Sequence, residues 1–381
     1  MTGADAAVAS LTRLVSFVTE SRTSNIALLE WVADRADAVG ARVEILPGAP
    51  GRANLLASFG PEGAGGVLLS AHSDVVPAGE GWAHPAYAVT REGDLLFGRG
   101  TADMKGFIAV ALELLCRLDP ADLHHPVHLA LSYDEEVGCA GVGGLLDHLA
   151  VTGSVRPDLV LIGEPTMMQP RNRHLGKVAF DVTFTAEPGH SSRSHVLPSA
   201  ITSAARVVAR IDAENHRHRP VEARAAPEVS LNCGTLHGGH ALNVDAERCE
   251  LSFEVRFSTD HDPERLLAPL RAAIDREGEL LGAVGGGVTM VETLRYPALH
   301  TEADQPMLAL VERIADAGKA AAIGYGTEGG MFAAALRVPV VICGPGDIAV
   351  AHRPDEFVSV EQLLRCERFL SGLIEALCAG P

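Results

Sequence analysis

VHLALSYDEEVG, residues 127–138, joins an apolar run to three consecutive acids. Val127, Leu129, Leu131 and Tyr133 recur at period two, which predicts a strand with a packed side. Asp134, Glu135 and Glu136 follow at once, where like charges repel and desolvation makes each more costly. A run of acids is most often a solvated turn. This one closes a buried strand, and open α/β sheets gather ligands at the carboxyl ends of their strands.

The neighbouring segments repeat the theme. VLLSA (67–71) runs into polar HSD (72–74), and DLVLIGEPT (158–166) is a buried strand stopped by Pro165. FIAVALELLCRL (107–118) reads as a helix that is apolar on most of its surface. Alternating strands and helices predict an α/β layer, a mixed sheet with helices on both faces. From about residue 177 the texture changes: KVAFDVTFTAEPGH and CELSFEVRFS alternate cleanly, as in a sheet with one wet face. Helices over 198–213 and 263–277 and a strand in GAVGGGVTMVE complete two strand–helix–strand halves, a small α+β insert of ferredoxin-like kind. The α/β pattern then resumes with helices at 304–318 and 328–336, strand VPVVIC (338–343) and a last helix from 360. The expected organisation is a discontinuous catalytic domain, 1–176 with 296–381, into which 177–295 is inserted.

The bulk numbers narrow the function. The 381 residues suit about two domains. A composition 47% hydrophobic and 21% charged suits packed, globular structure. A net charge of −18 argues against nucleic acid or an anionic membrane as partner, though not against an anionic substrate. MTGADAAVASLTRLVSF lacks the basic and apolar regions of a secretory signal, and no window is apolar enough to span a bilayer. Seven cysteines without a CxxC suit a reduced, cytoplasmic location.

Four strand ends carry candidate metal ligands: His72 with Asp74, Glu135 with Glu136, Glu164, and His352 beyond 338–343; Asp103 precedes the 107–118 helix. Imidazole and carboxylate are ligands expected for zinc, manganese or cobalt. Taken singly, a histidine or aspartate at a strand end is usually a cap or a turn former. Their coincidence on one predicted edge is what points to a metal centre. His124, His125 and His128, and His216 with His218, read as solvated. There is no GxSxG, HExxH or P-loop.

HSDVVPAGEGW, LFGRGTADMKGFIAV, LSYDEEVGCAG, LIGEPT, GHSSR and CGPGDIAVAHRPDEFV, in that order, resemble the M20 family of dinuclear zinc peptidases and deacylases. GTEGGMF and AHRPDEF resemble most its acetylornithine deacetylase branch. The resemblance implies two divalent ions, zinc first and cobalt or manganese otherwise. His72 and Glu164 would hold one, Glu136 and His352 the other, and Asp103 would bridge them. Asp74 would accept the far imidazole N–H of His72, fixing its tautomer. In extended backbone, neighbouring side chains point opposite ways, so Glu136 can face a metal while Glu135 faces a water as general base. Asp134 reads as a turn or structural carboxylate.

His190, in PGHSS, would reach the active site of the other subunit of a homodimer as an oxyanion donor. The family's pattern is interrupted just beyond it, at Leu197 and Ser199. Thr327 and Glu328 sit where the family contacts substrate, Glu328 suiting a side-chain ammonium; Arg256 suits a carboxylate, and Asn243 would donate to the substrate across the dimer. The implied reaction removes an acyl group from the α-amine of an amino acid, N2-acetylornithine first, as a step of arginine biosynthesis. Desuccinylase, other N-acyl amino acid deacylase, dipeptidase or carboxypeptidase activity is the alternative, and a non-catalytic relative a third. A complete ligand set plus Glu135 speaks against the last.

Overall fold

The computed structural model describes residues 3–193, 198–219 and 228–379. The chain forms two compact units, one running up to Arg173 and resuming at Leu299, the other His174–Ala298. The expected cuts, 176/177 and 295/296, lie three residues from these.

In the first unit the large sheet is mixed, as expected. Six of its strands lie in the order Arg42–Pro47, Ala53–Phe59, Val127–Ser132, Val67–His72, Leu159–Pro165 and Val340–Gly344. The first two pairings are antiparallel, and the last four strands run parallel to one another. Every residue of Val67–His72, Val127–Ser132, Leu159–Pro165 and Val340–Gly344 is buried. Successive side chains point to opposite faces, so both faces of this parallel core are covered. The period-two reading of 127–133 saw only half of this.

One expectation needs correcting. His128, read as solvated, is 2% exposed, with Nδ1 2.8 Å from the Ser58 hydroxyl. It occupies the second face of the Val127–Ser132 strand, where a polar side chain survives by pairing across to Ala53–Phe59, at the register Ser58–His128.

Gly106–Leu115, buried at all ten positions, packs on Val67–His72 and Leu159–Pro165, between Gly3–Ser16 and Val360–Leu377. That burial matches its all-round apolar sequence. Val360–Leu377 starts where the Ser359 hydroxyl accepts the Gln362 N–H at 3.1 Å, an N-cap.

The second unit is a four-stranded antiparallel sheet in the order Val229–Gly238, Arg248–Phe257, Gly176–Thr185, Gly287–Tyr296. Helices Ala200–Arg217 and Pro263–Gly282 complete a βαββαβ chain, the ferredoxin-like topology. Gly176–Thr185 buries alternate residues, and Phe180 stacks on Phe253 with ring centres 5.3 Å apart in the core. Among the described residues no helix is long and apolar enough to cross a membrane. All seven cysteines are free thiols.

Candidate metal centre

The first unit brings six of the expected residues together at the carboxyl edge of its parallel strands. His72 closes its strand level with Ser132 of the neighbour, so Tyr133–Glu136 emerge beside it. Glu164 is the penultimate residue of Leu159–Pro165. His352 lies on the loop after Val340–Gly344, at a left-handed φ of 63°. Asp103 lies in the irregular turn Thr101–Lys105 that opens into the buried helix.

Asp103 is the hub. Its Oδ1 lies 3.0 Å from His72 Nε2 and its Oδ2 3.2 Å from His352 Nε2. His352 Nε2 is also 2.9 Å from Glu136 Oε2, and His72 Nε2 is 3.8 Å from Glu164 Oε1. One donor atom from each of His72, Asp103 and Glu136 falls within a 4.8 Å group, and so does one from each of His72, Glu135 and Glu164. His72, Asp103 and Glu164 are at most 5% exposed, whereas the His352 side chain is 48% exposed and marks the open side.

The electrostatics explain why such a cluster suits a cation. Burial pushes the Glu135 and Glu164 carboxyls well above the usual carboxylate range, and neighbouring acids push further. Burial and Asp103 raise Glu136 as well. Against burial, His352 and His72 hold Asp103 below its ordinary value, while Asp103 and Glu136 lift His352 to about 10. Three carboxylates and two imidazoles thus hold protons in excess of their ordinary affinity around an ionised Asp103, the condition that a divalent ion relieves by replacing protons. Glu136 Oε1 is buried without a hydrogen-bond partner, an acceptor in want of a positive group. Oxygen and imidazole nitrogen are donors that zinc, cobalt and manganese all accept, so the residues fit such ions.

The surroundings differ from expectation at Asp74. The far nitrogen of His72, Nδ1, is 2.9 Å from the backbone carbonyl of Asp74, while the Asp74 carboxylate stands 3.6 Å away, beyond hydrogen-bond range. That carboxylate instead accepts the N–H groups of Glu135 and Glu136 at 3.0 and 3.4 Å and the Ser21 hydroxyl at 2.8 Å. Asp134, at φ 55°, accepts the Arg22 N–H at 2.6 Å and pairs with Arg52, so it is a structural carboxylate. The Cys139 thiol lies 3.5 Å from Glu135 Oε1.

Thr327 and Glu328 also belong to this unit. Thr327 is fully buried, and its hydroxyl accepts the N–H of Gly329, where helix Gly329–Leu336 begins. Glu328 is 2% exposed, burial lifts its carboxyl to about 7, and its Oε1 has no hydrogen-bond partner. His190, Asn243 and Arg256 lie in the other unit. There His190 pairs in register with Val244, and Ser191 N–H donates to the Asn243 carbonyl at 3.1 Å, so exposed His190 ends one short strand and exposed Asn243 lies in the turn just before its partner strand Val244–Asp245. Arg256 is engaged along its own strand with Glu254 at 2.8 Å. Ser199 precedes helix Ala200–Arg217, and Leu197 lies outside the described residues.

Two residues escaped the sequence reading. Glu356 accepts the N–H groups of Ala102 and Asp103, and Arg99 binds its other oxygen at 2.6 Å. Both lie inside quoted motifs, HRPDEF and GRGTADMKG, but charge alone did not distinguish them from surface residues.

A profile of peptidase family M20/M25/M40 matches residues 68–376. The chain belongs to this family. It is 32% identical over 373 residues to an acetylornithine deacetylase of Proteus mirabilis, spanning 94% of this chain and 92% of that one. A second acetylornithine deacetylase, of Pasteurella multocida, is 31% identical over 365 residues, with 94% and 92% covered. Among solved structures, an M20 metallo-carboxypeptidase of Sulfolobus solfataricus superposes with a TM-score of 0.77 at 14% identity, covering 97% and 98% of the two chains. A dinuclear metal-binding M20 peptidase of Bacillus subtilis gives 0.66 at 14%, covering 97% of each. This M20 chain is therefore a metal-binding hydrolase by family, with the family's fold.

Proposed function

We propose that the protein hydrolyses the amide bond of an N-acylated amino acid, with N2-acetylornithine as substrate and ornithine and acetate as products, a step of arginine biosynthesis in the cytoplasm. The observation that carries the reading is Asp103, whose two oxygens each face a histidine from a different part of the chain, at 3.0 and 3.2 Å. Around that hub, His72 and Glu164 serve one divalent ion, His352 and Glu136 the other. Zinc is the ion proposed, with cobalt or manganese able to replace it. The two acetylornithine deacetylases above support the choice of substrate.

Bound there, the ions supply a Lewis acid for the amide carbonyl and lower the pKa of the attacking water. Glu135 takes a proton from that water and later delivers it to the departing amine, so water adds across the amide as acid and amine. Asp74 orients Glu135 through its backbone N–H. Glu328, buried and with an unpartnered oxygen, suits the side-chain ammonium of ornithine. Reaching across a homodimer, His190 supplies a donor to the tetrahedral oxyanion and Asn243 a donor to the substrate; Arg256 suits a substrate carboxylate, and the inserted unit acts as lid and homodimer contact. Exposed Leu242, beside Asn243, supports such a contact.

The test is a panel of N-acyl amino acids assayed with added zinc and cobalt, alongside elemental analysis. N2-acetylornithine should give the highest kcat/KM. Preference for a succinylated substrate or a dipeptide would replace the substrate assignment, and full activity of a metal-free preparation would end the metal reading.

A further inference from the structure

The Asp103 turn is closed by one backbone bond, Lys105 N–H to the Gly100 carbonyl at 2.8 Å, while Asp103 and Met104 inside it have non-helical φ/ψ of −122°, 92° and −135°, 34°. The N–H groups of Ala102 and Asp103 themselves are held from 253 residues further on. Glu356, 1% exposed, accepts Ala102 N–H at 2.9 Å and Asp103 N–H at 3.1 Å through Oε1. Its Oε2 accepts from Arg99 at 2.6 Å. Arg99, also 1% exposed, reaches three more carbonyls: Arg353 at 3.3 Å, Pro77 at 3.4 Å and Ala78 at 3.2 Å. A guanidinium has five donors in a rigid fork, and four find acceptors here. Trp82 covers it, with the ring centre 5.1 Å away.

These bonds reach the three loops on which the hub depends. The Pro77–Ala78 carbonyls lie shortly after His72 and Asp74. Ala102 and Asp103 are the hub itself. Arg353 adjoins His352. We propose that Glu356, locked by Arg99, is a positioning residue: it sets the backbone at Asp103 so that each carboxylate oxygen meets its histidine, and it ties the His352 loop to the same frame. A buried pair of charges is a poor stabiliser compared with apolar packing, so positioning is the role in which its geometry is useful. The proposal rests on the reading of Asp103 and His352 as metal ligands.

Competition of the purified protein against a chromophoric chelator, with zinc and with cobalt, measures the effect, and the visible spectrum of the cobalt form reports ligand geometry. E356A should weaken binding roughly 10- to 100-fold and change the cobalt bands, the loss typical of groups that orient ligands. E356Q keeps an oxygen for the two N–H groups and should recover part of both. R99K, which keeps the charge and loses the fork, should resemble E356A. Circular dichroism identifies any variant that fails to fold; if E356A does, E356Q and R99K are read instead. Wild-type affinity and spectrum in folded E356A, or in E356Q and R99K together, would overturn the proposal. D103N separates the two layers: unchanged metal binding in D103N would remove the ligand reading and this proposal with it. Loss in D103N beside wild-type binding in E356A would remove the positioning role alone.

Discussion

The carboxylate of Asp74 accepts the backbone N–H of Glu135 at 3.0 Å. Its second oxygen reaches the next N–H, that of Glu136, at 3.4 Å. One buried acid therefore holds the peptide groups from which two others project, Glu136 into the donor group with His72 and Asp103 and Glu135 into the one with His72 and Glu164. An asparagine at 74 would present a donor amide to one of those N–H groups. Asp74→Asn should lower both kcat and metal affinity, each by about 10- to 100-fold. Steady-state kinetics and chelator competition would check it; loss of kcat with unchanged affinity would confine Asp74 to orienting Glu135.

Glu135 contributes no distance under 4 Å to either histidine among the salt bridges that join the hub, yet it stands in one of the two donor groups. As general base it should be dispensable for metal and not for turnover. Glu135→Ala should reduce kcat by at least about 100- to 10,000-fold, the range of general acid–base catalysis, with two ions still bound. Turnover near wild type, measured beside metal content, would reject the role.

His128 makes stability depend on pH. Burial, with Arg42 nearby, lowers its imidazole to about 4, against about 6.5 in an unfolded chain. Between those values the unfolded chain binds the extra proton, so the stabilisation is complete above about 6.5 and is lost as pH falls through about 4. The loss is at most roughly 3 kcal/mol from this one group. Urea midpoints of wild type and His128→Leu, taken at pH 7 and pH 4.5, should show a smaller drop in the variant. Parallel drops would show that His128 does not contribute.

Gly163 precedes Glu164, and a Cβ there would fall onto the Phe107 ring of the buried helix. Gly163→Ala forces either the helix or the strand to shift. It should destabilise by about 1–3 kcal/mol, the ordinary result of overpacking, and weaken metal binding because Glu164 moves with the strand. Thermal melting with and without chelator would separate the two effects.

Metal removal should itself destabilise the protein, because the acids of the hub then repel one another. At free metal 100 times Kd, binding contributes about 2.7 kcal/mol. Melting temperature should therefore rise with added zinc and fall with chelator. A melting temperature that ignores both would count against the metal centre.

Much of this protein was determined by local pattern. A buried strand that ends in an acid or imidazole is visible in VLLSAHSD, VHLALSYDEE and LVLIGEP, and parallel strands carry such ends to one edge, so His72, Glu135, Glu136 and Glu164 could be read before the fold was known. The change from continuous to alternating burial near residue 177 marked the insert for the same reason: the period of side-chain direction is a property of a short stretch. Tertiary structure alone decided the support. Whether the Asp74 carboxylate serves an imidazole or two peptide groups, whether His128 meets water or Ser58, and whether Glu356 is a surface charge or the frame of Asp103 all turn on partners 61 to 254 residues away. A side chain's nature states what it can bond; only the packing of distant strands and loops selects which bond it makes.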